Sequence, residues 1–378
     1  MKKVQIHFKY PKKNLVFFFD NLKDHNFIKQ INKSKYRNCI IFCDRNVFNL
    51  FKNKIKKIRK KIFLQKLYAN ENLKHFKNVK KIISYFEKKN INKSDLVLVI
   101  GGGTVSDLIS FCCSIYMRGI SFWSIPTTLM SQVDALSAGK TCINTDNSKN
   151  TVGNIYFAEK VFLLPELNIS NNYINFRQGL SEIFKYGLLS NSQIINLIDK
   201  NFKKPNNINY EVLKKIIRLT ISTRAKISKK HSLASNLGHT FGHAIEKIFN
   251  NKIKHGDAIS SGIYLANYFS LKKKIMSLKE FKIIENLMIK SGLNLWFDNT
   301  ISMAKMISYI KKDKKNYGNN INLVLIKKIG LQYKKRKYYF YKTSEKEVFH
   351  FLRSASKWHK YLTNNLLSKV NKKVLEYK

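Results

Sequence analysis

The run Asn236-Leu237-Gly238-His239-Thr240-Phe241-Gly242-His243 is followed after a short gap by His255-Gly256-Asp257. Positions i and i+4 stack on one helical face, so His239 and His243 point the same way. His255 heads the next apolar-periodic segment and can close a site from a neighbouring helix. Neutral imidazole is the commonest protein ligand for zinc-like metals, which makes this cluster a candidate divalent-metal site. A helix that carries histidines and no metal is the competing reading of this stretch alone. Upstream, Gly179-Leu180-Ser181-Glu182-Ile183-Phe184-Lys185-Tyr186-Gly187 sets Glu182 and Lys185 three apart, again on one face. That pair is either a surface salt bridge or a carboxylate supplied to the histidines. Acids are scarce here, 23 against 71 basic residues, which sharpens the second reading.

A different chemistry is written at Asp95-Leu96-Val97-Leu98-Val99-Ile100, which runs into Gly101-Gly102-Gly103-Thr104-Val105-Ser106-Asp107. A buried strand ends in three glycines and a helix starts at once. Glycines let backbone approach a pyrophosphate, and a helix N-terminus offers unpaired N–H groups and positive dipole. The spacing is not the six-residue dinucleotide fingerprint, and a tight turn is the simpler alternative. Cys39 to Cys43 is another continuous apolar run, ending at Asp44-Arg45-Asn46. Ligands bind at the carboxyl ends of strands in open α/β sheets, so Asp44 and Asn46 are nucleotide candidates, or else caps of the next helix. Thr127 and Thr128 follow a third strand, Ile120 to Ile125, and bring hydroxyls to the same end.

These residues need elements to hold them. Strand-like lengths occur at residues 4–8, 14–19, 39–43, 95–100, 120–125 and 161–164, alternating with helical segments such as 71–89. From about residue 171 the pattern changes to helical periodicity, near 172–190, 208–230, 236–250, 256–271, 277–291 and 299–312. Segments Ile321–Ile326 and Lys337–Tyr341 read as a small hairpin, and a basic helical tail begins near residue 344. The expected architecture is α/β plus α: an N-terminal Rossmann-like α/β domain over residues 1–170 and a mainly helical metal-binding domain over 171–378.

The formal charge of +48 would ordinarily suggest a polyanionic partner. The lysines, however, are spread along the whole chain with Asn, Ile, Phe and Tyr, the bias of an AT-rich coding genome. They form no stripe interleaved with aromatics, so specific nucleic-acid binding is not expected. The five cysteines lack zinc-ribbon spacing and suit reduced, buried thiols. No secretory signal and no membrane-length apolar run are read, so a cytoplasmic protein is expected.

Taken together, the chain resembles the 3-dehydroquinate synthases. The likeness runs from about residue 39 to about residue 345. It is carried by the glycine turn Gly101–Asp107, Tyr116-Met117-Arg118-Gly119, Ile125-Pro126-Thr127-Thr128-Leu129, Gln132-Val133-Asp134 and Gly139-Lys140-Thr141. Lys149-Asn150, the Glu182 and Lys185 stretch, the histidine stretch and Asp313-Lys314-Lys315 complete it. The resemblance implies a lyase that converts 3-deoxy-arabino-heptulosonate 7-phosphate to 3-dehydroquinate and phosphate in the shikimate pathway. It implies NAD as a transiently reduced cofactor, one divalent metal (zinc or cobalt) as Lewis acid, and a homodimer. Carried over by motif, Glu182, His239 and His255 are the implied metal ligands, with His243 beside them facing substrate. NAD is implied to contact Asp44, Asn46, Glu71, Lys74, Gly102, Gly103, Thr104, Val105, Asp107, Thr127, Thr128, Lys140, Lys149 and Ser170. Substrate is implied to meet Asp134, Asn150, Lys185, Arg224 and Asn236, with Lys140 serving the reaction too and Arg118 reaching across the dimer.

The sequence also departs from the family pattern. An acidic, arginine-containing loop usual before the histidine helix is replaced by a shorter stretch, Arg224 to Ser235. Losing one charge-assisted contact to substrate costs roughly 1.5–3 kcal/mol. Arg224 stands where lysine is usual, Ser106 and Ala138 where glycine is, and Ser170 where threonine is. The short loop leaves room for a cyclase of another sugar phosphate, such as sedoheptulose 7-phosphate or glucose 6-phosphate. A non-catalytic relative is the remaining alternative, against which stands the full set of ligand and lysine positions.

Overall fold

The two continuous apolar runs become the central strands of a seven-stranded sheet because every side chain along them has a packed face to enter. Cys39, Ile41 and Cys43 join Leu96, Leu98 and Ile100 in a cluster with Phe27, Ile31, Phe51 and Ile55. On the opposite face, the Phe42 ring meets Tyr85 and Phe86. The computed structural model describes residues 3–6, 15–24, 26–135, 139–146, 148–169, 173–202, 208–230, 233–250, 252–295, 302–312, 320–336 and 338–362. Ser170, Ala138, Lys337 and the Asp313-Lys314-Lys315 stretch lie outside those residues. The chain divides into two compact units, Met1–Gly179 with Asn206–Ala225, and Leu180–Pro205 with Lys226–Lys378.

In the first unit the strands are β1 (Lys3–Ile6), β2 (Leu15–Phe19), β3 (Asn38–Asp44), β4 (Lys61–Leu67), β5 (Leu96–Gly101), β6 (Phe122–Pro126), β7 (Lys140–Ile143), β8 (Val152–Ile155) and β9 (Lys160–Leu163). The helices are α1 (Asn26–Asn32), α2 (Phe48–Ile55), α3 (Phe76–Lys88), α4 (Gly103–Ile115) and α5 (Glu166–Ile169). The sheet order is β1-β2-β9-β6-β5-β3-β4, parallel except for the β1 edge, and β7 pairs with β8 as a separate hairpin. The chain leaves β3 toward β4 on one side and leaves β5 toward β6 on the other. The order therefore reverses between β3 and β5, and the carboxyl ends of these two strands frame the crevice where open α/β sheets bind ligands. Cys43 is registered with Ile100, so Asp44 emerges beside the glycine turn. This is the Rossmann-like arrangement expected from the sequence.

The helices that follow are α6 (Tyr173–Ser190), α7 (Ser192–Asn201), α8 (Tyr210–Lys230), α9 (His239–Ile248), α10 (His255–Lys272), α11 (Leu278–Lys290), α12 (Met303–Lys311) and α13 (Glu345–Leu362). Four short strands, β10 (Asn320–Leu323), β11 (Ile326–Lys328), β12 (Leu331–Gln332) and β13 (Tyr341–Ser344), lie between the last two helices. Within the second unit, aromatic contacts join α10, α11 and α13: Phe269 and Tyr268 meet Phe351, and Tyr268 also meets Phe281. No helix among the described residues is long and apolar enough to cross a membrane.

Three sequence expectations change. The helix read over 71–89 is a 3-10 turn, Glu71–Lys74, followed by α3, because His75 adopts an extended conformation (ψ 144°) and its ring caps Lys77 N–H. Helix α7 was not read; Asn191 breaks the run after α6 and caps α7 by accepting from Gln193 N–H. The single hairpin becomes two pairs, β10 with β13 and β11 with β12, because the tight turn at Gly330 (φ +77°) closes the inner pair.

Helices α9 and α10 approach closely enough to need glycine. A Cβ on Gly262 would lie 2.1 Å from the Gly238 carbonyl oxygen and 2.7 Å from the Gly242 nitrogen. Gly238 itself holds φ +78° just before α9 begins. Gly262→Ala should therefore lower stability by roughly 1–3 kcal/mol, as overpacking does. The change is read from the denaturant midpoint; an unshifted midpoint would disprove the close approach.

Candidate functional site

The first unit builds an anion cradle at the end of β5. Gly102 caps α4 without any side-chain hydrogen bond, so the first N–H groups of that helix are offered to a ligand. A Cβ added at Gly103 would meet nothing within 4 Å, whereas one at Gly102 would press on Thr128 Cγ2 at 3.1 Å. Open space thus lies over Gly103, Thr104 and Val105 begin the helix behind it, and Ser106 and Asp107 follow. Thr127 N–H donates to the Gly101 carbonyl at 3.1 Å, locking β6 to the turn, and the Thr128 and Ser131 hydroxyls bond each other at 2.9 Å. Asp44 accepts from Asn46 N–H at 3.0 Å, so the capping role is realised. Burial pushes the Asp44 carboxyl up.

Beside this cradle lies a polar network. The Lys74 ammonium, only 5% exposed, donates to Asp107 Oδ2 at 2.6 Å and to Asn150 Oδ1. Burial works most strongly against the Lys74 charge, but Asp107 together with Cys142 and Glu71 outweighs it and holds the ammonium above its ordinary value. The Cys142 thiol on β7 sits between them, 3.4 Å from Asp107 Oδ2 and 3.2 Å from Asn150 Oδ1. A second strand of the network runs from Glu71, which accepts from Asn144 Nδ2 at 2.7 Å, to Lys149, 3.9 Å away. Asn144 Oδ1 in turn accepts from Asn150 N–H at 3.0 Å, with Asn150 in a left-handed conformation (φ +56°). Lys140 lies exposed on β7 of the same hairpin. Sequence reading singled out Glu71, Lys74, Asp107, Lys149 and Asn150 separately. It did not assign Cys142 or Asn144 to the site; the missing signal was the short strand β7, which carries Cys142 and ends just before Asn144.

Asp134 stands in a single π-helical turn, Ser131–Ala135. The Arg224 guanidinium, 4% exposed, donates to both the Asp134 carboxylate and its carbonyl oxygen. Arg118 is in the exposed turn after α4 with φ +62°, apart from this network.

The second unit gathers the other constellation. Glu182 on α6 is fully buried, and one of its oxygens, Oε2, is ion-paired with Lys185 one turn on. Its other oxygen, Oε1, is 3.6 Å from His239 Nε2 and 3.9 Å from His255 Nε2. Those separations are too long for hydrogen bonds. Neither carboxylate oxygen makes a hydrogen bond of normal geometry. A buried carboxylate in that condition is costly unless a cation sits against it. Ligand atoms about 2.0–2.2 Å from a tetrahedral ion are themselves about 3.3–3.6 Å apart. One ligand atom from each of Glu182, His239 and His255 lies within 4.8 Å of the others. The far side of each ring is also held: His239 Nδ1 is 3.1 Å from the Leu237 carbonyl and His255 Nδ1 is 2.9 Å from Glu246 Oε1. Such partners orient each ring so that Nε2 is the atom turned toward Glu182. The donor set suits a divalent metal with positions left open for another ligand.

His243 is one turn past His239, its ring 5.3 Å from that of His239 and 6.2 Å from that of His255. It joins the cluster without belonging to the ligand group. Asn236 precedes α9, its carbonyl accepting from His239 N–H at 3.1 Å.

Residues 65–171 match the 3-dehydroquinate synthase N-terminal family and residues 179–316 the 3-dehydroquinate synthase C-terminal family. The 3-dehydroquinate synthase of Dictyoglomus thermophilum is 31% identical over 338 residues, 87% of this chain and 93% of the relative. That of Pelagibacter ubique is 33% identical over 333 residues, 81% of this chain and 88% of the relative. In fold, the chain superposes on a 2-deoxy-scyllo-inosose synthase solved with carbaglucose-6-phosphate, NAD+ and Co2+ (TM-score 0.84, 19% identity, 93% of this chain and 100% of that one). It also superposes on the 2-epi-5-epi-valiolone synthase of Streptomyces hygroscopicus with NAD+ and Zn2+ (TM-score 0.80, 18% identity, 93% of this chain and 98% of that one). The chain belongs to the 3-dehydroquinate synthase family.

Proposed function

We propose that this protein is a 3-dehydroquinate synthase, releasing phosphate from 3-deoxy-arabino-heptulosonate 7-phosphate to form 3-dehydroquinate in the shikimate pathway. The observation that carries the reading is the buried Glu182 carboxylate, ion-paired with Lys185 through one oxygen and facing two histidine nitrogens with the other, in a chain of this family. Glu182, His239 and His255 hold the divalent metal, zinc or cobalt. The glycine cradle and the Lys74 network hold NAD, with Asp44, Asn46, Glu71, Thr127, Thr128, Lys140 and Lys149 at its margins; for Ser170 the family resemblance alone supports a contact. When bound, NAD supplies a reversible hydride acceptor and the metal a Lewis acid for the substrate's hydroxyl and ketone oxygens.

The chain's own residues bind and orient. Lys185 places a fixed ammonium beside the metal ligands, suited to a carboxylate or phosphate of the substrate. His243 and Asn236 present polar groups from the same helix and the turn before it. Asp134, Arg224 and Asn150 complete the substrate set, and Arg224 is held by Asp134 so that its remaining donors face a fixed direction. The departing phosphate acts as its own base in this reading, so the protein need only orient it. The resemblance further supports a cytoplasmic homodimer in which Arg118 serves the partner's site.

The short connection from Arg224 to Asn236 favours one rival, a cyclase of another sugar phosphate. Purified protein with NAD+ and Co2+ or Zn2+ should release phosphate from the heptulosonate phosphate and form dehydroquinate. Turnover of sedoheptulose 7-phosphate or glucose 6-phosphate alone would establish the rival; turnover of none would leave a non-catalytic relative. Glu182→Gln should reduce turnover by at least about 100-fold, since it removes the charged ligand. Gly103→Leu should leave the unfolding midpoint nearly unchanged yet weaken NAD+ binding by about tenfold or more, because the new side chain fills the cradle. Wild-type NAD+ affinity in that variant would refute the cradle.

A further inference from the structure

The two histidines of the Glu182 group are not held alike. His239 has a side chain 13% exposed, and its Nδ1 faces a backbone carbonyl, that of Leu237, in the turn that precedes α9. His255 is the first residue of α10, and its side chain is 42% exposed. A ring so placed can turn about its terminal torsion unless something holds it. What holds it is Glu246, whose Oε1 is 2.9 Å from His255 Nδ1. Glu246 is seven residues beyond His239, two helical turns along the same face of α9. One helix thus carries a histidine of the group and the orienting group for the other.

The carboxylate can only accept, so the proton of the His255 ring resides on Nδ1 and the Nε2 lone pair points toward Glu182 Oε1. We infer that Glu246 is a positioning residue that fixes the tautomer and ring direction of His255 as a metal ligand. This rests on the reading of Glu182, His239 and His255 as a divalent-metal site. The rival account is that Glu246 merely ties α9 to α10, in which case its loss would weaken the fold and leave metal affinity alone.

The test uses the full-length chain stripped of metal and titrated with Co2+, followed by visible absorption and by competition with a chromophoric chelator. Glu246→Ala should weaken Co2+ binding by about 10–100-fold, the range for loss of such an outer partner. Glu246→Gln keeps an acceptor oxygen against Nδ1 and should lose less than about tenfold. Unfolding of the metal-free variants, measured alongside, should change little. Wild-type Co2+ affinity in Glu246→Ala, while Glu182→Gln binds weakly, overturns the positioning role alone. An affinity loss that glutamine does not recover overturns it as well, by assigning the effect to the negative charge of Glu246 rather than to its hold on the ring. A wild-type chain that binds no Co2+, or a Glu182→Gln variant that binds as well as wild type, overturns the metal site itself.

Discussion

A carboxylate with no exposed surface and no hydrogen bond of normal geometry is the constraint around which the second unit is built. Taking Glu182 out of water costs several kcal/mol, and Lys185 offsets that only in part. The remaining compensation has to come from the side where His239 and His255 present their Nε2 atoms. Those atoms converge because α9 and α10 touch along Gly238, Gly242 and Gly262. Bulk at any of these positions would push His255 away from the carboxylate it faces. Packing and the proposed chemistry are therefore one requirement, and the glycines serve the convergence of Glu182, His239 and His255 as directly as those residues do.

The first unit solves a different electrostatic problem. Its glycine cradle presents backbone N–H groups and supplies no fixed charge of its own, since no acidic or basic residue occupies the first turn of α4. Charge is brought in instead by Lys74, buried and kept protonated by Asp107. Asn150, Cys142 and Asn144 then lock the β7–β8 hairpin against that pair through short polar contacts. A surface lysine would hold its charge more loosely and point it less sharply. The hairpin that carries Lys140 is thereby positioned by the same ion pair.

Much of this was readable from the chain because the informative residues break its monotony. Three glycines after a strand, three histidines and a lone glutamate stand out against 71 basic residues. Strands buried on both faces announced themselves as continuous apolar runs, and β3, β5 and β6 fall where those runs are. Strand β4 was not legible, since Lys61–Leu67 carries lysines and is only partly buried beside β3. The β7–β8 hairpin was equally quiet: Val152–Ile155 is exposed throughout, and alternation has no meaning without a buried face. The metal group was half visible. Histidine spacing along α9 suggested that His239 and His243 act together, and His255 was marked as able to close the site from the next helix; the atoms that converge are those of Glu182, His239 and His255. Spacing within one helix could not choose between His243 and His255 as the partner of His239.

Burial alone would not have separated Glu182 from the other acids inside the fold, and Asp95 shows why. Both side chains are fully buried. Asp95 accepts from Asn38 Nδ2 at 2.8 Å and from Asn92 N–H at 3.0 Å, with Arg37 at 3.5 Å. Its charge is answered by donors from its own turn and from the start of β3, and no further ligand is needed to explain it. Glu182 has one ammonium on one oxygen and two imidazole nitrogens beyond hydrogen-bonding reach of the other. Two imidazole nitrogens and a carboxylate oxygen turned toward one point would repel if each presented a lone pair there. A divalent cation at that point turns the repulsion into coordination. The difference between the two acids lies in what answers the second oxygen, and the proposed role of Glu182 as a metal ligand rests on that difference.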